Sequence, residues 1–169
     1  MNDGSGWTWR QMPRTLRALA LWLTGVQLVG YTTGLVFIHY TTGMTPPGVS
    51  AQYRGSDSTV VSDAAMKFPK SYPEMLNITH THLLSMAAIF IVSGLALALC
   101  ERPGPQWRKL LVVEPFVALL VSFSSMWLMR YVDARFSWLL ALSSSLMAAT
   151  FYLQSFFVLR ELAGLGEAP

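Results

Sequence analysis

The amino-acid sequence predicts an all-α integral membrane protein, built as a bundle of four transmembrane helices. The first observation is composition: 53% of the residues are hydrophobic and only 12% are charged, whereas soluble domains carry about 25% charged residues. The second is a set of four continuous apolar runs, each long enough to cross a hydrocarbon core of about 30 Å as a helix. The runs cover residues 16–38, 83–100, 110–129 and 136–159.

The distribution of basic residues is the third observation, and it predicts the orientation of the bundle. Arg14 precedes the first run and Arg17 lies at its start, Arg108 and Lys109 precede the third, and Arg160 follows the fourth. Because short segments rich in Lys and Arg stay in the cytoplasm, both termini are expected there. The chain is expected to be a multi-pass protein of a membrane, and the expected membrane is the bacterial inner membrane.

Local signals divide the chain into nine segments. Ser71 and Glu74 have the spacing of a capping box, so the second helix is expected to begin near Tyr72, about two turns above the membrane. Pro103 and Gly104 break the chain after that helix. In order, the segments are a cytoplasmic tail (1–13), helix 1 (14–40), an extracytoplasmic loop (41–71), helix 2 (72–100), a cytoplasmic connection (101–107), helix 3 (108–131), a short outer loop (132–135), helix 4 (136–162) and a cytoplasmic tail (163–169).

The loop 41–71 is the unusual element, because connections longer than about 12–15 residues without structure of their own are often functional. It opens with a turn sequence, Thr45-Pro46-Pro47-Gly48, and it contains Arg54 as a candidate contact residue. One interpretation is a plain tether between two helices. The other is a cap over the bundle, or a docking surface for an external partner.

All three histidines fall at the outer face. His39 ends the first helix, and His80 and His82 lie near the top of the second. Residues that are two positions apart on a helix point about 200° apart around its axis, so His80 and His82 are not expected to face the same ion. A pair across helices, His39 with His82, is the better geometry, with His80 as the substitute. Two such imidazoles on facing helices suit the two axial positions of a b-type haem, so the first cofactor hypothesis is a haem b held by His39 and His82.

Copper is the second cofactor hypothesis, with His39, His80, His82 and Met86 as ligands. Imidazole and thioether groups together suit Cu(I), although methionine also fills irregular apolar gaps. A third interpretation has no cofactor, and the imidazoles then bind lipid headgroups, loop carbonyls or Glu74. Five further methionines map to the outer half: Met44, Met66, Met75, Met126 and Met129.

Glu114 is the one acidic residue inside an apolar run. It precedes Pro115, about one turn below the inner interface. The plain interpretation is a carboxylate paired with Arg14, Arg17 or Arg108. The functional alternative is a proton step on the inner side, but no second acidic residue continues such a path across the membrane.

Three function hypotheses follow. The first is a membrane electron-transfer component, a b-type haem-binding subunit of a larger respiratory or redox complex. The second is a non-catalytic accessory or assembly subunit, docking through the loop 41–71 and through Gly30 and Gly34, whose Gly-x-x-x-Gly spacing lets another helix approach closely. The third is a copper-handling membrane protein. The expected partners are the lipid bilayer and either other membrane subunits or an extracytoplasmic redox protein.

Several other functions lack their residues. The chain has no Walker loop, no dinucleotide fingerprint and no His-Glu-x-x-His sequence. Its basic residues punctuate the apolar runs instead of forming a patch, so no nucleic-acid partner is expected. The single cysteine, Cys100, excludes an internal disulfide. A stand-alone enzyme is not favoured, because a catalytic histidine needs a carboxylate at the same level in the membrane to orient its ring. Glu74 is the one approximate match to this requirement.

Overall fold

The computed structural model describes residues 7–56 and 66–164, and within these ranges it is helical with no strand. Four of its helices are long and apolar enough to cross a membrane. The predicted fold class, an all-helical membrane protein with four apolar spans, is therefore confirmed. The helices are α1 (Arg14–Thr42), α2 (Pro46–Arg54), α3 (Tyr72–Ala98), α4 (Pro105–Tyr131) and α5 (Phe136–Leu162), with one 3-10 turn at Trp9–Gln11.

The helix ends follow local chemistry. α1 runs two residues past the expected position 40 and stops where Gly43 adopts a left-handed conformation, φ 62°, which glycine tolerates best. α3 begins with a complete capping box, in which Ser71 Oγ accepts from Glu74 N and Glu74 Oε2 accepts from Ser71 N at 2.7 Å. α4 begins three residues earlier than expected, because Pro105 fits the first helical turn, where no N–H is needed.

The four spans alternate in direction, so their ends meet in two layers. Trp9, Leu97, Cys100, Leu111 and Val158 pack in one buried cluster, and they come from the start of the chain, the end of α3, the start of α4 and the end of α5. This layer is called the termini end, and the opposite layer, where α2 lies, is called the loop end. The assignment of the termini end to the cytoplasm stays a prediction from the charge pattern.

The bundle consists of a three-helix core and one outlying helix. α3, α4 and α5 pack against one another, and the aromatic ring of Phe90 lies close to Phe116 and Phe151 at its centre. α1 lies outside, with Ala20, Thr24 and Thr42 as its buried residues. It contacts the core mainly through α5.

Two contacts attach α1 to α5 near the middle of the bundle. The ring of Tyr31 stacks on Phe151 with 4.2 Å between centroids. The hydroxyl groups of Thr32 and Tyr152 share a hydrogen bond of 2.8 Å. The rest of α1 leaves large apolar side chains exposed, as expected for a helix that faces lipid or another protein.

The loop between α1 and α3 contains a helix where a turn was expected. Thr45 caps α2, because its Oγ1 accepts from Gly48 N at 3.1 Å, and the two prolines after it occupy the first helical turn. Val49 and Tyr53 of α2 pack against the buried methionines of the loop end, Met75, Met126 and Met129. α2 therefore covers the end of the core; residues 57–65 of the loop lie outside the described ranges.

Arg54 fastens α2 to the core. Its Nη1 donates to the carbonyl oxygen of Met129 at 2.7 Å, in the last turn of α4, where a cation is favoured by the helix dipole. The backbone N–H of Lys70 donates to the carbonyl of Tyr53 at 2.9 Å, so both sides of the described loop are held to one another.

Replacement of Arg54 with alanine is expected to weaken the attachment of α2 by about 1.5 kcal/mol, the lower end of the range for hydrogen bonds to charged groups, because this bond is only partly buried. Amide hydrogen exchange is the sensitive measurement, because α2 would open locally before the bundle unfolds. Arg135→Ala, at another exposed position of the loop end, is the control. Unchanged exchange in α2 of the Arg54→Ala protein would show that this contact does not hold the helix.

Candidate functional site

The predicted site residues His39 and His82 lie at the same depth. Tyr31 and Phe90 both contact Phe151, so these two residues mark one level of the bundle. His39 comes eight residues after Tyr31, and His82 comes eight residues before Phe90. On antiparallel helices both offsets run toward the loop end, and each is about 12 Å.

The two side chains nevertheless face different neighbours. The ring of His82 lies beside Phe123 of α4, with centroids 6.4 Å apart. α1, which carries His39, packs mainly on α5. His80 lies about 200° around α3 from His82, and all three histidines are exposed. In the part of the chain that the structure describes, the three histidines do not form a group of three metal-ligating side chains, and a haem held by His39 and His82 stays a prediction.

The imidazole of His82 is oriented by its own helix. Its Nδ1 lies 3.0 Å from the carbonyl oxygen of Ile78, which suits an Nδ1–H donor. In that tautomer Nε2 keeps its lone pair, and a backbone carbonyl on the other ring nitrogen is the usual companion of a metal-ligating histidine. His82 therefore offers one ligand nitrogen at the outer surface of the chain.

The expected copper ligands are also dispersed. Met75, Met126 and Met129 are buried together beneath α2, whereas Met86 packs in the aromatic cluster around Phe90. Cys100 lies at the opposite end of the bundle, in the buried cluster with Trp9 and Leu97. Among the described residues no group of three or more His, Cys, Asp or Glu side chains is placed to hold a metal.

Glu114 lies without the arginine partner that the sequence suggested. Both of its carboxyl oxygens are buried, and neither has a hydrogen-bond partner among the described residues. Arg108 instead donates from Nη1 to the carbonyl of Ala98 at 3.1 Å. Within the described ranges, the structure therefore leaves the carboxyl group of Glu114 without a partner.

A buried hydrogen-bond network links the three core helices. The sequence analysis did not predict it. Pro115 has no N–H, so the carbonyl of Leu111, four residues earlier, lacks its helical donor. Gln154 Nε2 donates to that carbonyl at 2.6 Å, and Ser93 Oγ donates to Gln154 Oε1 at 2.6 Å. The available signal was a proline inside a span, because it leaves one backbone carbonyl without its helical donor and that carbonyl then needs another partner.

Gly30 and Gly34 form an open strip on α1. A Cβ added at either position would meet nothing within 4 Å. Thr32, which bonds to α5, lies two residues from each, about 160–200° around the helix axis. The glycine pair therefore faces away from α5. Another helix reaching this strip would meet backbone without intervening side chains.

These features define a polytopic helical membrane protein with a compact three-helix core, a capping helix and an attached outer helix. Residues 43–168 match the family Aq_1264_TM, a transmembrane helical domain. The chain belongs to this family. The match begins at Gly43, directly after α1, so it covers α2, α3, α4 and α5. No curated protein and no solved structure matches the chain.

Proposed function

We propose that this protein is a non-catalytic subunit of a larger membrane complex, and that α1 carries the contact with a different membrane subunit. The observation that carries the proposal is the open strip of Gly30 and Gly34 on the helix that contributes least to the core. The occupant is a transmembrane helix of that subunit, packed closely against the strip.

Two further observations support this occupant. The family match starts after α1, so α1 lies outside the residues that the family model matches. Polar side chains of α1 and α3, among them Thr33 and His82, are exposed on the chain's own surface. Polar groups in transmembrane segments generally face protein or water, and a neighbouring subunit would cover them.

The test is co-purification from native membranes in mild detergent. The wild-type chain is expected to elute with a second membrane polypeptide in a fixed ratio. The double variant Gly30→Leu/Gly34→Leu should lose that polypeptide, with about tenfold weaker association or more, because the added side chains hold the helices apart.

A matched variant and a folding measurement make the result decisive. Val29→Leu adds bulk at an exposed position of α1 outside the strip, and it should keep the second polypeptide. The thermal midpoint of the double variant should equal that of the wild type, because both glycines lie in open space. A wild-type particle that holds this chain alone, or only copies of it, would contradict the proposal.

A second candidate, electron transfer through a haem b, rests on the orientation of His82. His82 would supply one imidazole ligand to the haem, and a further ligand would come from the partner subunit. The bound haem would supply one-electron redox chemistry, while His82 would hold it through Nε2. A reduced-minus-oxidised visible spectrum of the co-purified complex should show a haem band that disappears in His82→Ala and persists in His80→Ala. A colourless complex would exclude this candidate without affecting the subunit proposal.

A further inference from the structure

A pocket opens at the termini end, between the start of α1, the connection from α3 to α4, and the end of α5. Its charged lining comes from three parts of the chain that are distant in sequence. Four arginines and two glutamates contribute: Arg10, Arg17, Arg102, Arg160, Glu101 and Glu161.

The carboxylates of the pocket are already engaged. Glu101 forms an ion pair with Arg10, at 3.3 Å from Nε to Oε1. Glu161 Oε1 accepts the backbone N–H of Glu101 at 3.1 Å. Within residues 7–56 and 66–164, Arg17, Arg102 and Arg160 have no ion-pair partner. Four guanidinium groups against two carboxylates leave two positive charges in the pocket.

One wall of the pocket is fixed by Trp9. Its indole Nε1 donates to the carbonyl of Ala96 at 2.9 Å, and its backbone N–H donates to the carbonyl of Leu99 at 3.1 Å. The segment before α1 is therefore held against the end of α3, which positions Arg10 and Arg17 beside the α3–α4 connection. The pocket is a formed feature of the folded chain.

The pocket lies at the membrane surface. Trp7 and Trp107 belong to the same end and are 68% and 65% exposed, as is usual for tryptophan at the level of lipid headgroups. Arg17 stands in the first turn of α1, where the apolar run begins. At this level the abundant anions are phospholipid headgroups, and the predicted orientation turns the pocket toward the leaflet that carries most of the acidic lipid.

We propose that this pocket binds the anionic phosphate of a phospholipid headgroup. The planar guanidinium fork matches two phosphate oxygens at once, and three arginines without an ion-pair partner in the described ranges surround one opening. The site is separate from the glycine strip of α1, and its occupation does not depend on the partner subunit.

The experiment is a thermal-unfolding titration of the full purified chain in neutral detergent. One arm adds phosphatidylglycerol, a second adds phosphatidylcholine, whose choline neutralises its phosphate, and a third adds inorganic phosphate. Phosphatidylglycerol is expected to raise the midpoint saturably, and the other two additions are expected to leave it unchanged.

Charge-removing variants locate the effect. Arg17→Gln/Arg160→Gln should bind phosphatidylglycerol about 25-fold more weakly, at about fivefold for each basic residue lost near the surface. Arg14→Gln removes the same charge from the same helix outside the pocket, and it should bind like the wild type. All three proteins should melt alike without lipid, which separates binding from folding.

Three outcomes would overturn the proposal. An equal shift with phosphatidylcholine would show that net charge is not recognised. An equal shift with inorganic phosphate would assign the pocket to the free ion instead of the headgroup. An unchanged response of Arg17→Gln/Arg160→Gln to phosphatidylglycerol would place any lipid binding elsewhere.

Discussion

Phe151→Ala is expected to lower the free energy of unfolding by about 3–5 kcal/mol, the usual cost of removing a buried aromatic ring. Phe151 is completely buried. The centroid of its ring lies 4.2 Å from that of Tyr31 of α1 and 6.4 Å from that of Phe90 of α3. One side chain of α5 therefore joins three helices. Lipid tails are as apolar as the ring itself, so the hydrophobic effect does not drive helices together inside a membrane. Close packing of side chains is therefore a main source of stability there.

Unfolding of the purified protein in mixed micelles of mild and denaturing detergent measures this effect. Phe156→Ala is the matched control, since it removes the same ring from the same helix at a position that is 56% exposed. The control should cost less than about 1 kcal/mol, as is typical of exposed positions. Equal losses for the two variants would mean that the aromatic cluster does not hold the bundle together.

Gln154→Leu is expected to destabilise the bundle by about 1–3 kcal/mol, the cost of leaving a buried polar group unsatisfied. The group in question is the carbonyl of Leu111, which Pro115 deprives of its helical donor and Gln154 serves at 2.6 Å. The same variant also removes the hydrogen bond from Ser93, so the single substitution does not by itself identify the carbonyl as the cause.

A double-mutant cycle with Pro115→Ala isolates the contribution of that carbonyl. Alanine at position 115 restores an N–H four residues after Leu111, so the carbonyl keeps a donor when Gln154 is lost. The cost of Gln154→Leu should therefore fall by about 1 kcal/mol in the Pro115→Ala background, since the loss of the Ser93 bond is common to both arms. An equal cost in both backgrounds would refute the assigned role of Gln154.

The number of transmembrane helices and their positions along the chain were largely predictable from the sequence. Transmembrane spans follow from the length and continuity of apolar runs, because a bilayer admits few other solutions for the backbone. The start of α3 followed from the spacing of Ser71 and Glu74, since capping is a local interaction. The helix α2 was missed, although Thr45 followed by two prolines is a start signal. Its length of nine residues gave too little apolar periodicity to override the appearance of a turn.

The side-by-side arrangement of the helices was less accessible. Sequence spacing favoured His39 with His82 as the pair across helices, but it contains no information on which spans are adjacent. α1 turns out to pack mainly on α5, through Tyr31 and Thr32, and not along α3. Which helices are adjacent depends on shape complementarity among all four of them, and the cofactor hypotheses, which depend on it, stay predictions.

The pocket of arginines was hidden for a related reason. Among the arginines of the pocket, Arg17 and Arg160 were interpreted from the sequence only as part of the charge distribution that predicts a cytoplasmic position. Their convergence depends on the hydrogen bonds of Trp9 to the end of α3, which no local pattern announces. The sequence therefore placed these charges at the same end of the bundle but did not reveal that they line one pocket.

The most direct test of the subunit proposal is the mass of the particle that contains this chain, measured by native mass spectrometry after extraction with its surrounding lipid. The chain alone accounts for 18.8 kDa. The proposal predicts a larger particle whose additional mass includes a different membrane polypeptide, and the loss of that polypeptide from Gly30→Leu/Gly34→Leu. A particle composed only of lipid and this chain, in one copy or several, would contradict it.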